Sequence, residues 1–267
     1  MQLTDLVYLR CPICHTALRL HIGNETHGSV RCASNTHTYD IRQGILDLLA
    51  APRPSSLAAW SNEFALTAWA YERLWRPYAL RILSGTAFGY DRERAILAEA
   101  ITAPRGLIVD IACSNGLYAR FIANAYPSAA VIGIDRAMPM LIEAQRRAVA
   151  ARLPISYIRA DARALPMSSG VAAGIVITGS LNEMEELPQV LAEVARIAAP
   201  TSTLVTMALT RATSFFGKII QSALALGGIT FFDPDTIIAQ FVHTGWHIQA
   251  STITGIVWFV RASRTGA

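Results

Sequence analysis

The chain has 267 residues, 52% of them hydrophobic and only 16% charged. That balance fits one large domain, or a small module joined to an ordinary domain, and excludes a disordered chain. No run of about 18 uncharged apolar residues is present, which excludes a membrane-spanning helix. Residues 1–14 lack the basic region and apolar stretch of a secretory leader, so the sequence predicts a cytoplasmic protein whose cysteines stay reduced unless they hold metal. The net charge is +4 and the pI about 9.0, yet Lys218 is the only lysine, and the arginines form no run longer than Arg146–Arg147. Charge alone is therefore a thin argument for an RNA or DNA substrate.

Residues 1–50 read as a zinc-ribbon module. Cys11-Pro12-Ile13-Cys14 has the spacing of a zinc knuckle, and Cys32 followed by His37 offers a second ligand pair across a loop containing Gly23, Asn24 and Gly28. Two thiolates from one turn and a Cys/His pair from another can close a tetrahedral site. His15 and His27 are alternatives for the fourth ligand; His37 is preferred because it lies on the Cys32 side of the loop. Alternation at 17–20 and 29–31 predicts a short hairpin. Such a module buries little core alone, so the metal would supply folding energy, and four protein ligands leave no position open for catalysis.

Residues 51–105 read as a linker and helical cap. Pro52 and Pro54 mark a turn. The aromatic-rich stretch that follows packs between the two modules or covers a ligand, with Tyr71 or Trp75 stacking on a substrate. A helix is expected at 91–101, broken at Pro104-Arg105-Gly106.

From residue 106 the pattern becomes a series of βα units. Residues 107–111 form a buried apolar strand ending near Asp110. Ala112-Cys113-Ser114-Asn115-Gly116 is a turn of small residues, and a helix follows at 117–125. This arrangement aims backbone N–H groups from a helix N-terminus at an anionic group. A second unit places Asp135, followed by Arg136, at the end of strand 130–135, where a carboxylate can accept both hydroxyls of a ribose. A third strand at 155–160 leads into Asp161-Ala162-Arg163-Ala164-Leu165-Pro166-Met167. The fourth strand, 175–180, carries Thr178 and Gly179. A helix at 187–197 and a fifth strand at 203–208 complete the series.

The ordered set of Asp110, the small-residue turn, Asp135 and the Asp161-Ala162-x-x-Leu165-Pro166 segment resembles class I S-adenosylmethionine-dependent methyltransferases. That resemblance implies an α/β fold: a Rossmann-like seven-stranded sheet with its last strand antiparallel, over residues 106–267. It also implies that residues 112–116 hold the methionine end of S-adenosylmethionine, Asp135 and Arg136 the ribose side, and Asp161 with Ala162 the adenine. Asp110 would position the turn, and Thr178 and Gly179 would flank the methionine. Ala112 and Ser114 replace two glycines of the family's turn. With the N-terminal cysteines included, the chain is similar to zinc-bearing rRNA guanine-N1 methyltransferases and, more closely, to quinone-biosynthesis-like methyltransferases.

Residues 211–230 form a lid-like insertion whose polar Ser214, Lys218 and Gln221 share one face of an otherwise apolar helix. A closing hairpin is expected at 246–262. The leading functional expectation is methyl transfer to an O, N or C nucleophile of a small, fairly apolar molecule, with Glu183 or Tyr71 as the base. The alternatives are rRNA base methylation, and a methyltransferase fold that binds S-adenosylmethionine without transferring methyl.

Overall fold

The computed structural model describes residues 1–49, 90–101 and 105–264. After a 3-10 turn at Leu3–Tyr8, four short strands follow: β1 (Leu18–Gly23), β2 (Gly28–Cys32), β3 (Thr38–Arg42) and β4 (Ile45–Asp47). Helix α1 (Tyr90–Ala100) precedes the βα series β5 (Gly106–Ile111), α2 (Leu117–Ala125), β6 (Ala129–Asp135), α3 (Met138–Ala150) and β7 (Ile155–Arg159). Next come β8 (Ala172–Thr178), a 3-10 turn at Leu181–Glu183, α4 (Leu187–Ile197) and β9 (Ala198–Leu209). The chain ends with α5 (Phe215–Ala225), α6 (Pro234–His243), β10 (His247–Thr254) and β11 (Val257–Ser263).

The sheet order is β1-β2-β3-β4-β7-β6-β5-β8-β9-β11-β10. Strands β7 through β9 are parallel, and β11 runs antiparallel to both β9 and β10. The seven expected strands are therefore present with the last one reversed. The strand count needs one correction: among the described residues the sheet continues through β4 to eleven strands. Ile45, Leu46 and Asp47 pair in parallel with Tyr157, Ile158 and Arg159. Without β4, the other edge of β7 would present unpaired N–H and C=O groups; β4 satisfies them. The fifth strand also starts earlier than expected, because Ala198 already pairs with Ala172.

Alternation along the buried strands divides the apolar residues between two faces. Leu107, Val109 and Ile111 join a core with Ile134, Ile158, α4 and α6. Ile108, Val131, Tyr157 and Val176 face α1, α2 and α3 on the other side. The result is a sheet covered by helices on both faces. Cys11, Val30, Cys32 and Leu46 belong to the first of these cores, so the N-terminal strands share it with the βα domain. Further ties hold the two parts together. Ser156 Oγ donates to the buried Asp5 carboxylate (2.6 Å), Arg10 N–H to the Pro166 carbonyl (2.9 Å), and Ser168 N–H to the Tyr8 carbonyl (2.9 Å). The expected aromatic cap with Tyr71 and Trp75 lies outside the described residues. None of the described helices is long and apolar enough to cross a membrane.

Candidate active site

The site begins with Asp110. Its carboxyl is buried and accepts the backbone N–H of Ala119 at 3.0 Å, in the first turn of α2. Gly116, the N-cap of α2, has no side chain to do this, so Asp110 caps the helix from the neighbouring strand and places a negative charge at its positive end. Gly116 itself has φ +73°, and a Cβ there would lie 2.3 Å from the Tyr157 hydroxyl. It shapes the turn from behind and does not line either cavity described below.

Ala112 and Ser114 have φ of 54° and 51°, in the left-handed region. The turn thus keeps the conformation that glycine favours while carrying residues that pay for it, at roughly 1–2 kcal/mol each. Ala112→Gly with Ser114→Gly removes that strain, offset by about 0.5–1 kcal/mol of backbone entropy per added glycine. The double variant is expected to gain about 1 kcal/mol in denaturant unfolding. An unchanged or lower midpoint would show that the turn is not strained.

Asp135 stands at the end of β6. Its Oδ2 accepts the Ser114 N–H (2.8 Å) and its Oδ1 the Ala137 N–H (2.9 Å), so one carboxylate fixes both the turn and the start of α3. It lines an open cleft of about 540 Å³ at the carboxyl ends of the strands. Ala112, Arg136, Asp161, Ala162 and Glu183 share that lining. A second, much narrower depression is lined by Ala112, Cys113, Ser114, Asn115, Tyr118 and Thr178. Ala112 borders both. The two spaces sit where the strand order reverses between β5 and β8, the usual ligand position in such sheets. Gly179, at φ +82°, donates its N–H to the Met207 carbonyl and ends β8 beside the second cavity. Burial pushes the Cys113 thiol well above its ordinary pKa, so it stays protonated and unreactive.

Sequence reasoning did not foresee the state of Asp161. Arg163 folds back onto it: its N–H and Nε reach Oδ1 (2.9 and 3.0 Å), and its Nη2 reaches Oδ2 (2.7 Å). Burial would raise the Asp161 pKa, but these bonds overcome it and hold the carboxyl below its ordinary value. Two lone pairs on Oδ1 are thereby used and one on Oδ2, which leaves one acceptor position for a ligand amino group. Arg163 also reaches Glu186 at 3.2 Å, closing the cleft wall between β7 and α4.

Two further residues had no clear sequence signal. Glu93 of α1 is fully buried and accepts from the Tyr118 hydroxyl, which occupies that phenol at the second cavity. Asn182 is buried and donates to the carbonyls of Leu209 (2.8 Å) and Thr230 (2.5 Å), while its Oδ1 accepts the Leu209 N–H (2.7 Å). It ties the turn carrying Glu183 to both ends of the 211–230 insertion. Glu183 is exposed at the cleft mouth. Partial loss of hydration against the cleft wall, with the Asp135 charge second, raises its pKa to about 7.

The structure brings Cys11, Cys14, Cys32 and His37 together, with ligand atoms all within 4.8 Å of one another. Cys11 Sγ and Cys32 Sγ lie 3.5 and 3.7 Å from His37 Nδ1. A tetrahedral zinc with ordinary Zn–S and Zn–N bonds sets that edge at roughly 3.5 Å, so the cluster is compatible with a zinc ribbon. Donors surround the sulfurs: Ser34 Oγ lies 3.2 Å from Cys14 Sγ and 3.0 Å from Cys32 Sγ, and His37 N–H donates to Cys32 Sγ at 3.2 Å. His15 and His27 are not part of this cluster.

Residues 108–201 match a family model described as a methyltransferase domain. Over those residues the chain is similar to methyltransferase domains. A demethylmenaquinone methyltransferase of Thermus thermophilus is 35% identical over 130 residues, 48% of this chain and 57% of that protein. An uncharacterized chloroplastic methyltransferase of Arabidopsis thaliana is 24% identical over 217 residues, 74% of this chain and 60% of that protein. The chain thus spans less than two thirds of the length of these relatives. Among solved structures, a SAM-dependent methyltransferase from Aquifex aeolicus is similar with a TM-score of 0.57 at 14% identity, over 73% of this chain and 97% of that one. The [4+2]-cyclase SpnF is similar with a TM-score of 0.61 at 13% identity, over 81% and 98%. At such identities these two establish the methyltransferase fold alone.

Proposed function

We propose that the protein is an S-adenosylmethionine-dependent methyltransferase acting on a small, fairly apolar acceptor. The observation that carries this reading is the pair of cavities meeting at Ala112, with Asp135 in the larger and Thr178 in the smaller. The larger suits an adenosine, with Asp135 on the ribose and the remaining Asp161 position on the adenine amino group. The smaller suits an amino-acid end beside the turn.

S-adenosylmethionine, when bound, supplies an electrophilic methyl on a sulfonium. The protein's part is to hold the acceptor in line and to exclude water. Glu183, at the mouth of the cleft, accepts the acceptor's proton as the new bond forms. With its pKa raised to about 7 by its surroundings and by Asp135, Glu183 is a base poised near neutrality. Its active form is the carboxylate, so kcat/KM is expected to rise with pH through about 7 and to level above it. Glu183→Gln should flatten that profile and lower the rate by about 10²–10⁴-fold. A profile left unchanged in the variant would remove Glu183 from the reaction. Tyr71, the other base expected from sequence, lies outside the described residues.

Zinc would be held by Cys11, Cys14, Cys32 and His37. With four protein ligands its contribution is structural. The names of the Thermus relative and of a 30% identical ubiquinone/menaquinone C-methyltransferase from Syntrophotalea carbinolica favour an isoprenoid quinol as acceptor. The test is transfer of methyl-labelled S-adenosylmethionine to an isoprenoid naphthoquinol and to ribosomal RNA in parallel. Label in the quinol supports the reading. Label in RNA overturns the acceptor class, and bound cofactor with no transfer to either overturns the activity.

A further inference from the structure

Helix α5 is attached to the protein by its polar side. The buried Gln221 accepts the Ala212 N–H (2.8 Å) and donates to the Thr210 carbonyl (2.9 Å), and Ser214 caps the helix by accepting the Gly217 N–H. At 3.6 residues per turn, Ser214, Lys218, Gln221 and Ala225 share the attached half, while Phe215, Phe216, Ile219, Ile220 and Ala223 lie on the opposite half, continued by Leu226. Phe215, Phe216 and Leu226 are 74%, 77% and 86% exposed, and Ile219 and Ile220 are 52% and 59% exposed. This is the reverse of a surface helix, which turns its apolar stripe inward. A contiguous exposed apolar patch of this kind marks an interaction surface.

We propose that this face of α5 docks on an anionic lipid bilayer. Charge selects that occupant. From residue 194 to residue 232 the chain has no carboxylate, while Arg211, just ahead of the helix, and Lys218, at the edge of its polar half, are both exposed. A second copy docking through the same face would bring like charges together with no carboxylate between them. A bilayer accepts the aromatic and aliphatic side chains below the headgroups and pairs the two cations with lipid phosphates. The location serves the cleft, because Asn182, next to Glu183, bonds Leu209 and Thr230 on either side of this insertion. A helix seated in the bilayer surface would hold the cleft mouth where an apolar acceptor is concentrated. That purpose rests on the proposed acceptor class; the docking itself does not.

The test is flotation with phosphatidylcholine vesicles, with and without phosphatidylglycerol, in the absence of cofactor and acceptor, so failure of the docking is separable from failure of the proposed activity. The wild type should float with the phosphatidylglycerol vesicles. Replacing Phe215, Phe216 and Ile219 by serine should lower binding by more than about tenfold. Lys218→Glu should weaken binding about fivefold on anionic vesicles only. All four side chains are exposed, and an unchanged circular dichroism spectrum verifies folding. No flotation with either vesicle, flotation indifferent to the serine variant, or a wild-type dimer that this variant dissociates would each overturn the proposal.

Discussion

Asp135→Ala is expected to weaken binding of S-adenosylhomocysteine by about a hundredfold or more. The carboxylate makes two charge-assisted bonds to the Ser114 and Ala137 N–H groups, and a ribose would add hydroxyl donors to it. Bonds to charged groups contribute about 1.5–3 kcal/mol each, and a hundredfold is about 2.7 kcal/mol. The loss has two sources: the ligand contact itself, and the release of a turn that already holds Ala112 and Ser114 in left-handed conformations. Without Asp135 the Ser114 N–H has lost its acceptor, and the turn is free to relax away from the geometry that shapes both cavities. Calorimetric titration of the variant reads the effect. An affinity within about threefold of wild type would mean that Asp135 holds the turn without touching the ligand.

Metal removal should have the second large effect. Isolated zinc modules owe roughly 10–16 kcal/mol of apparent stability to their metal. Here the N-terminal strands share a core with the βα domain, so a smaller loss is expected, about 5 kcal/mol. Chelation should strip hydrogen-exchange protection from β1 to β4 first, while β5, β6 and β8 remain protected. The damage should then reach the cleft. Arg159 of β7 bonds Asp47 of β4 at 3.2 Å and donates through Nε to the Arg136 carbonyl (2.8 Å) at the cleft lip. Losing β4 frees that arginine and exposes an edge of β7, so cofactor affinity should fall about tenfold, within the ordinary range of coupling between sites. Carefully prepared protein with less than about half an equivalent of zinc and normal exchange protection would contradict the four-ligand site.

The central fold was readable because buried parallel strands are short, continuous apolar runs, as in residues 107–111 and 130–135, and because small residues and carboxylates punctuate their ends. The Asp110, Asp135 and Asp161 positions follow from that punctuation. Strands β3 and β4 were not readable. They are short and partly polar, and β4 is specified by pairing with β7, more than a hundred residues away in sequence. Arg163 presented a related difficulty: its closeness to Asp161 in sequence does not reveal that the chain turns it back onto both carboxylate oxygens. For α5 the amphipathic period was visible, but the side that faces the protein is decided by tertiary hydrogen bonds from Gln221. The substitutions Ala112 and Ser114 were visible as departures from glycine. Only the backbone angles show that the turn keeps the glycine-like conformation in spite of them.

The most direct test of the account is calorimetric titration of S-adenosylhomocysteine into the wild-type protein. One site per chain with a dissociation constant in the micromolar range, about −8 kcal/mol, is the predicted result. It would mean that the two cavities beside Ala112 form one cofactor site despite the strained turn. Absence of binding up to millimolar ligand would contradict the assignment of the turn, Asp135 and Asp161 to a cofactor, and with it the proposed methyl transfer.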